Sequence, residues 1–323
     1  MHNKRFICLL LLGWTACATT YSPTEETPSV FASRSDFLQR LEPRGERILF
    51  GSGIDFDPFA DSSALERTQP AYYEVIYDLA DLPYDWHLPL RELIARHENY
   101  VFLQVDIRLG HEGRPHAQAV ANGQLDEAID GLCFGLQQLG RPIFLRLAPE
   151  ANSPYNDYDP ESYRGAWLRV VQTLRDRWQL RNIALVWSVA ANGYSDYMTF
   201  YPGDAYVDWW SIDIYTPAEL RQRTTRAFIA SAAERSYPVL LEAATPMSKT
   251  PKSGDELWRL WFTPLFELLR QQSNIKALTY RDWADFSRLG DGVAVERFRL
   301  ELSDPIYQKA TELNDLRWFL EWE

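Results

Sequence analysis

Along this chain, short apolar runs alternate with longer stretches in which apolar residues recur every three or four positions. The short runs are Ile48–Asp55, Tyr73–Leu79, Val101–Arg108, Pro142–Ala148, Ile183–Ser188, Val207–Tyr215, Pro238–Glu242 and Ile275–Tyr280. Several are apolar at successive positions, so both faces of the strand they form must be covered, as in a parallel sheet sheathed by helices. Gln124–Leu139, Pro160–Trp178, Asp255–Gln272 and Pro305–Glu321 carry the helical period. Asp159-Pro160 predicts a helix start, with the acid as cap and proline in the first turn. Eight strands, each with room for a following helix, predict an α/β fold of the (β/α)8 (TIM barrel) kind. An open doubly wound sheet would carry a glycine-rich phosphate loop opening a helix after its first strand. Gly51-Ser52-Gly53 instead leads into Ile54 and Asp55.

In such a barrel the chemistry sits at the C-terminal ends of the strands. Those ends are polar here: Asp55, Asp106 and Arg108, Arg146 and Glu150, Asp213 and Tyr215, Glu242, and Arg281 to Trp283. Two glutamates stand out. Glu150 follows Arg146 and Ala148 at a spacing of two, which points all three into the barrel mouth. Glu242 ends the apolar run Val239-Leu240-Leu241 and precedes Ala243 and Ala244. A carboxylate at the tip of an apolar strand is costly to desolvate without partners or a purpose. A salt bridge to a neighbouring arginine is the plain alternative for either one, but two of them, on the fourth and seventh strands, form a pattern.

Composition narrows the partners. The 323 residues, 46% hydrophobic, suffice for a single barrel, and the formal charge of −12 disfavours nucleic acid and anionic membrane surfaces. Uncharged sugar polymers remain. Lys4 and Arg5, the apolar run Phe6 to Gly13 and the small residues of Thr15-Ala16-Cys17 read as an export signal. This layout resembles a lipoprotein signal spanning residues 1–17, with Cys17 as the lipidated residue; ordinary signal cleavage with a periplasmic or secreted product is the alternative. Ala18 after the cysteine, in place of Asp, implies the outer membrane. Residues 18–35, rich in Thr, Ser, Pro and Glu, read as a flexible tether, and 36–323 as one domain. Cys133 is then left without a disulfide partner. The chain is expected to be monomeric. His87, His97, His111 and His116 show no metal spacing, and no serine lies in a nucleophile elbow.

Several segments resemble glycoside hydrolase family 26, the β-mannanase family of a large clan of retaining barrel glycosidases. They are Arg146-Leu-Ala-Pro-Glu150-Ala-Asn152, Tyr163-Arg-Gly-Ala-Trp167, Val186-Trp187-Ser188, Tyr201-Pro-Gly-Asp204, Val207-Asp-Trp-Trp-Ser-Ile-Asp213-Ile-Tyr215 and Ala277-Leu-Thr-Tyr280-Arg-Asp-Trp283. Together they cover roughly residues 48–285 in the family's order. The resemblance implies Glu150 as general acid/base and Glu242 as nucleophile of an endo-acting, retaining hydrolase of a β-linked mannan-like, xylan-like or β-glucan-like polysaccharide, with no cofactor or metal. It implies a Tyr215 hydrogen bond to the nucleophile with Asp213 in support, Trp283 as floor under the sugar, and Asn152 and Trp187 as further substrate contacts. Arg146 would keep a carboxylate ionised by proximity. Family 26 enzymes usually place His directly before the acid/base, and the wider clan often Asn. Pro149 stands there in this chain, so a contact near the sugar 2-hydroxyl is lost or supplied elsewhere. That departure favours the other reading, a non-catalytic carbohydrate-binding barrel of the cell envelope or of a polysaccharide export system.

Overall fold

The computed structural model describes residues 41–43, 45–53, 69–96, 102–111, 114–244, 253–281 and 292–309. The signal and tether, Cys17, Asp55 and Trp283 lie outside them. Eight parallel strands close into a ring: β1 (Ile48–Gly53), β2 (Tyr72–Asp78), β3 (Phe102–Arg108), β4 (Ile143–Leu147), β5 (Ile183–Ala190), β6 (Trp209–Ile214), β7 (Val239–Ala244) and β8 (Ile275–Arg281). Each pairs with the next, and Leu49 of β1 pairs with Ala277 of β8 to shut the barrel. Around it run α1 (His87–Arg96), α2 (Ala117–Ala121), α3 (Asp126–Leu139), α4 (Pro160–Gln172), α5 (Pro217–Arg221), α6 (Arg223–Glu234), α7 (Gly254–Leu257), α8 (Thr263–Gln271) and α9 (Gly292–Glu301). Single π-turns, Thr173–Arg177 and Trp258–Phe262, extend α4 and join α7 to α8. Among the described residues no helix is long and apolar enough to cross a membrane.

The eight strands fall where the apolar runs predict them, within a few residues at each end. The α4 start is as read from Asp159-Pro160: the Asp159 carboxylate accepts the Ser162 N–H at 2.8 Å. The expected start of a helix at Pro305 is a correction: Tyr307–Gln308 is a short strand, β9, and the last described helix, α9, ends before it. The cause is backbone demand at β1. This strand meets β2 only from Gly51 onward, and Tyr307 and Gln308 pair with Ile48 and Leu49 ahead of that point. Residues 310–323 lie outside the described set.

Strand alternation divides the apolar residues into two bodies. Leu49, Tyr72, Phe102, Phe144, Val186, Trp209, Leu240 and Ala277 fill the barrel interior. A larger body, including Val105, Leu145, Trp187, Trp210 and Leu241, lies between strands and helices. Buried Cys133 belongs to the latter. The interior plug is a packed floor, and the polar residues one or two steps further along each strand rest on it.

Candidate active site

Above that floor, inward positions of six strands carry charge or hydrogen-bonding groups: Glu74 on β2, Gln104 and Asp106 on β3, Arg146 on β4, Ser188 on β5, Asp213 on β6, and Glu242 on β7. Thr279 and Arg281 on β8 complete the ring. Arg146 is the hub and is wholly buried. One terminal nitrogen donates to Asp106 Oδ2 at 2.7 Å and Glu242 Oε2 at 2.5 Å; the other donates to Ser188 Oγ at 2.9 Å and to both Asp213 oxygens at 2.6 and 2.7 Å. Arg281 grips Glu74 through two nitrogens and lies 2.7 Å from Glu242 Oε1. Gln104 Nε2 lies within hydrogen-bond range of Glu74, Asp106 and Glu242, and Gln104 Oε1 accepts from Thr279.

Glu150 is reached differently. β4 ends at Leu147, and both Ala148 (φ +46°) and Glu150 (φ +56°) are left-handed, with Pro149 between them. Side chains rarely adopt this conformation, which costs on the order of 1–3 kcal/mol per residue and persists where the surroundings overdetermine it. Here they do. The Ala148 N–H donates to Ile107 O (2.7 Å), Glu150 N–H to Ser188 Oγ (3.2 Å) and Ala151 N–H to Ser188 O (2.9 Å), while the Asn156 amide donates to the carbonyls of Pro149 and Glu150. The strand alternation used to aim Glu150 therefore stops short of it; a strained turn aims it instead.

Five carboxylates, those of Glu74, Asp106, Glu150, Asp213 and Glu242, share two guanidiniums. The cluster cannot ionise fully in a medium that screens charge poorly. Burial raises Glu74, but Arg281 outweighs it and holds the carboxyl down to about 2. Burial pushes Asp106 up to about 8 against the pull of Arg146. Glu150 is raised by burial and by the neighbouring Asp213 charge, against a hydrogen bond from Tyr215. Burial drives Glu242 upward as well, while Arg146 and Arg281 draw it back toward the ionised form. Oxygens of Glu74, Asp106 and Glu242 lie within 4.8 Å of one another, close enough for a shared cation. Guanidiniums occupy that role here: Arg146 lies within ion-pair distance of all three, and so does Arg281.

A cavity of about 130 Å³ opens over this cluster, lined by Asp106, Arg108, Glu150, Asp213 and Arg281 among others. Glu150 reaches it, whereas Glu242 lies beneath, fully buried.

The sequence profile of Glycosyl hydrolase family 26 matches residues 98–234, the stretch holding Arg146, Glu150 and Asp213. A β-1,3-xylanase, TXYA, of a Vibrio species is 26% identical over 73% of this chain, and the chain spans 57% of that relative's length. Two solved structures share the fold. GH26C of a Muricauda species has a TM-score of 0.65 at 17% identity, covering 85% of this chain and 89% of that one. A modular endo-β-1,4-mannanase of Cellulomonas fimi has a TM-score of 0.63 at 18% identity, covering 87% and 76%. Over residues 98–234 the chain is similar to glycosyl hydrolase family 26, and its barrel has the fold of these two structures.

Against that family pattern the residues sort themselves physically. Arg146, Asp213, Tyr215, Glu150 and Glu242 come together at one end of the barrel. Tyr215, expected to orient Glu242, places its hydroxyl 2.7 Å from Glu150 Oε1 and 3.0 Å from Asp213 Oδ2, so it orients the other glutamate. Trp187 is not a substrate contact. It alternates with inward Val186 and Ser188, so it faces outward and packs against Tyr201 and Trp210 with ring centroids 4.8 and 5.0 Å away. Asn152 is also buried, and its amide is used internally: Oδ1 accepts the Ala190 N–H, and Nδ2 donates to the carbonyls of Ala190 and Tyr194. It shapes the rim and offers a sugar little. Glu74, Gln104 and Ser188 also join this cluster, unanticipated from the sequence. Strand alternation from Tyr72 to Glu74, and from Gln104 to Asp106, was the signal that could have found the first two.

Proposed function

We propose that this protein is an endo-acting, retaining glycoside hydrolase of a β-linked polysaccharide, with xylan-like chains the first to try and mannan-like chains next. The observation that carries it is the pair Glu150 and Glu242, the first in the turn after β4 and the second on β7, at one barrel end and joined through Arg146, Asp213 and Tyr215. Glu150, held high by burial, gives its proton to the departing glycosidic oxygen while a Glu242 oxygen bonds the anomeric carbon and the old C–O bond breaks. Water then yields a proton to Glu150 as its oxygen takes over the anomeric carbon and releases Glu242. Glu242 must first loosen its contact with Arg281. Reducing ends released from β-1,3-xylan or β-1,4-mannan, and their loss in Glu150→Ala and Glu242→Ala, test the reading. With an activated aryl glycoside, azide should restore turnover to Glu150→Ala and give a β-glycosyl azide. Wild-type hydrolysis by both variants would refute the assignment.

The second reading, a carbohydrate-binding barrel without turnover, is favoured by Glu242 itself. A carboxylate fully buried between two guanidiniums suits structural duty, and so does a proline ahead of Glu150 where the family usually has histidine. Binding of β-linked oligosaccharides with no hydrolysis by the wild type would select it.

For location, the basic start, short apolar run and Thr15-Ala16-Cys17 support an exported protein lipidated at Cys17 and anchored to the outer membrane. Mass spectrometry of the native N-terminus tests this. An unmodified cysteine, or a mature chain starting elsewhere, would overturn it.

A further inference from the structure

Beside the first cavity, at the same end of the barrel, lies a recess of about 250 Å³ between the segment after β5 and the start of α6. The stretch Pro149 to Asn152 is the wall between them: Pro149 and Glu150 line the first, Asn152 the second. Their chemistry differs sharply. Five charged residues line the first, whereas none lines the second. Its wall offers the amides of Asn192 and Gln222, the hydroxyl of Thr224, and the rings of Tyr194, Tyr197 and Phe228. In a chain of which 24% is charged, an uncharged lining of this kind fits a neutral, hydroxyl-rich ligand. Amides and hydroxyls exchange hydrogen bonds with sugar hydroxyls, and an aromatic face accepts the C–H face of a pyranose.

Tyr194 is placed for the second task. The residue is 58% exposed, yet its backbone is held at both ends. The Tyr194 N–H donates to Asn152 O at 2.9 Å, and Asn152 Nδ2 donates to Tyr194 O at 2.8 Å. Asn152 is itself 2% exposed and tied to Ala190 on β5. An exposed ring on a fixed backbone gives up little freedom when a ligand stacks on it. The start of α6 adds donors: no side chain caps it, and Thr224 and Thr225 of its first turn line the recess.

We propose that this recess binds a further sugar of the polysaccharide chain, on the side of the cleavage point toward which Glu150 delivers its proton, with Tyr194 as the stacking face. The inference rests on the reading of Glu150 as acid/base for that polarity. Sugar binding itself does not depend on hydrolysis.

The test is calorimetric titration of a β-1,3-linked xylose hexasaccharide and a β-1,4-linked mannose hexasaccharide into the full chain carrying Glu150→Gln, with and without Tyr194→Ala. Loss of the ring should weaken the tighter hexasaccharide about two- to tenfold, and Tyr194→Trp should hold the affinity at or above that of the parent. An exposed position leaves the fold intact, which a thermal melt confirms. Equal affinity with and without the ring, or no binding of either hexasaccharide, overturns the proposal. Tyr194-dependent binding by a protein that hydrolyses neither polymer supports this recess while removing the hydrolase reading.

Discussion

Replacing Arg146 with methionine keeps most of the apolar stem and deletes the guanidinium that touches Asp106, Ser188, Asp213 and Glu242. Removing one partner of a buried ion pair costs about 3–5 kcal/mol, because the other charge stays buried without compensation. Here at least three carboxylates lose the same cation. At roughly 2–4 °C per kcal/mol for a domain of this size, the melting temperature should fall by on the order of 10 °C. The fall should also depend on pH. Without Arg146, burial drives Asp106 and Glu242 further up, so the native state holds protons that the unfolded chain has released above its ordinary value of about 4. Stability tied to held protons is fully present below that value and declines as pH rises through the native one. Wild-type Asp106 itself holds its proton up to about pH 8, so the gap between variant and wild type should widen between about pH 7 and about pH 9, followed by circular dichroism melts at each pH. Arg146→Lys should lie between the two, since a single ammonium cannot reach both sides of the fork. A melting shift that is absent, or equal at both pH values, would refute the view that Arg146 neutralises this cluster.

Other substitutions probe the surrounding pieces. An added Cβ at Gly53 would sit 2.5 Å from Arg281 Cγ and 2.9 Å from Glu74 Oε2, so Gly53→Ala should cost about 1–3 kcal/mol in urea denaturation by displacing that pair. Asp106 is raised to about 8, so it supports stability at low pH and loses that support as pH climbs toward 8; Asp106→Asn should flatten this decline, measured as unfolding free energy against pH. Trp187→Ala should cost about 3–5 kcal/mol through the cavity left behind the sheet, while leaving oligosaccharide affinity, followed by titration calorimetry, where it was.

The barrel was legible because its signal is local and repeated: runs apolar at successive positions, spaced for helices, occur eight times. The inward charges on strands were legible for the same reason, since Arg146, Asp213 and Glu242 each sit at the polar end of an apolar run. What escaped was set by distant partners or by turns. Glu74 meets Arg281 over the intervening β1, a pairing that neither segment announces. Glu150 depends on two left-handed residues around Pro149, where strand periodicity no longer applies. Trp187 illustrates the opposite error. Its own strand parity places it outward, and the resemblance to family segments outweighed that parity. No helix starts at Pro305, because Tyr307 and Gln308 have backbone partners waiting on β1, which no propensity encodes.

The seam between β1 and β8 bears on how the molecule is made. Leu49 is among the first residues of the barrel to leave the ribosome, and its partner Ala277 among the last. Until β8 emerges, β1 and β7 present parallel edges with unpaired backbone groups, the condition that invites strands of neighbouring chains to dock. Tyr307 and Gln308 arrive later still, to pair with the opening residues of β1. Nascent chains arrested just before β8 should therefore aggregate or recruit chaperones, and those released after Gln308 should not. The ring that positions the chemistry makes quality control wait until its last strand has emerged.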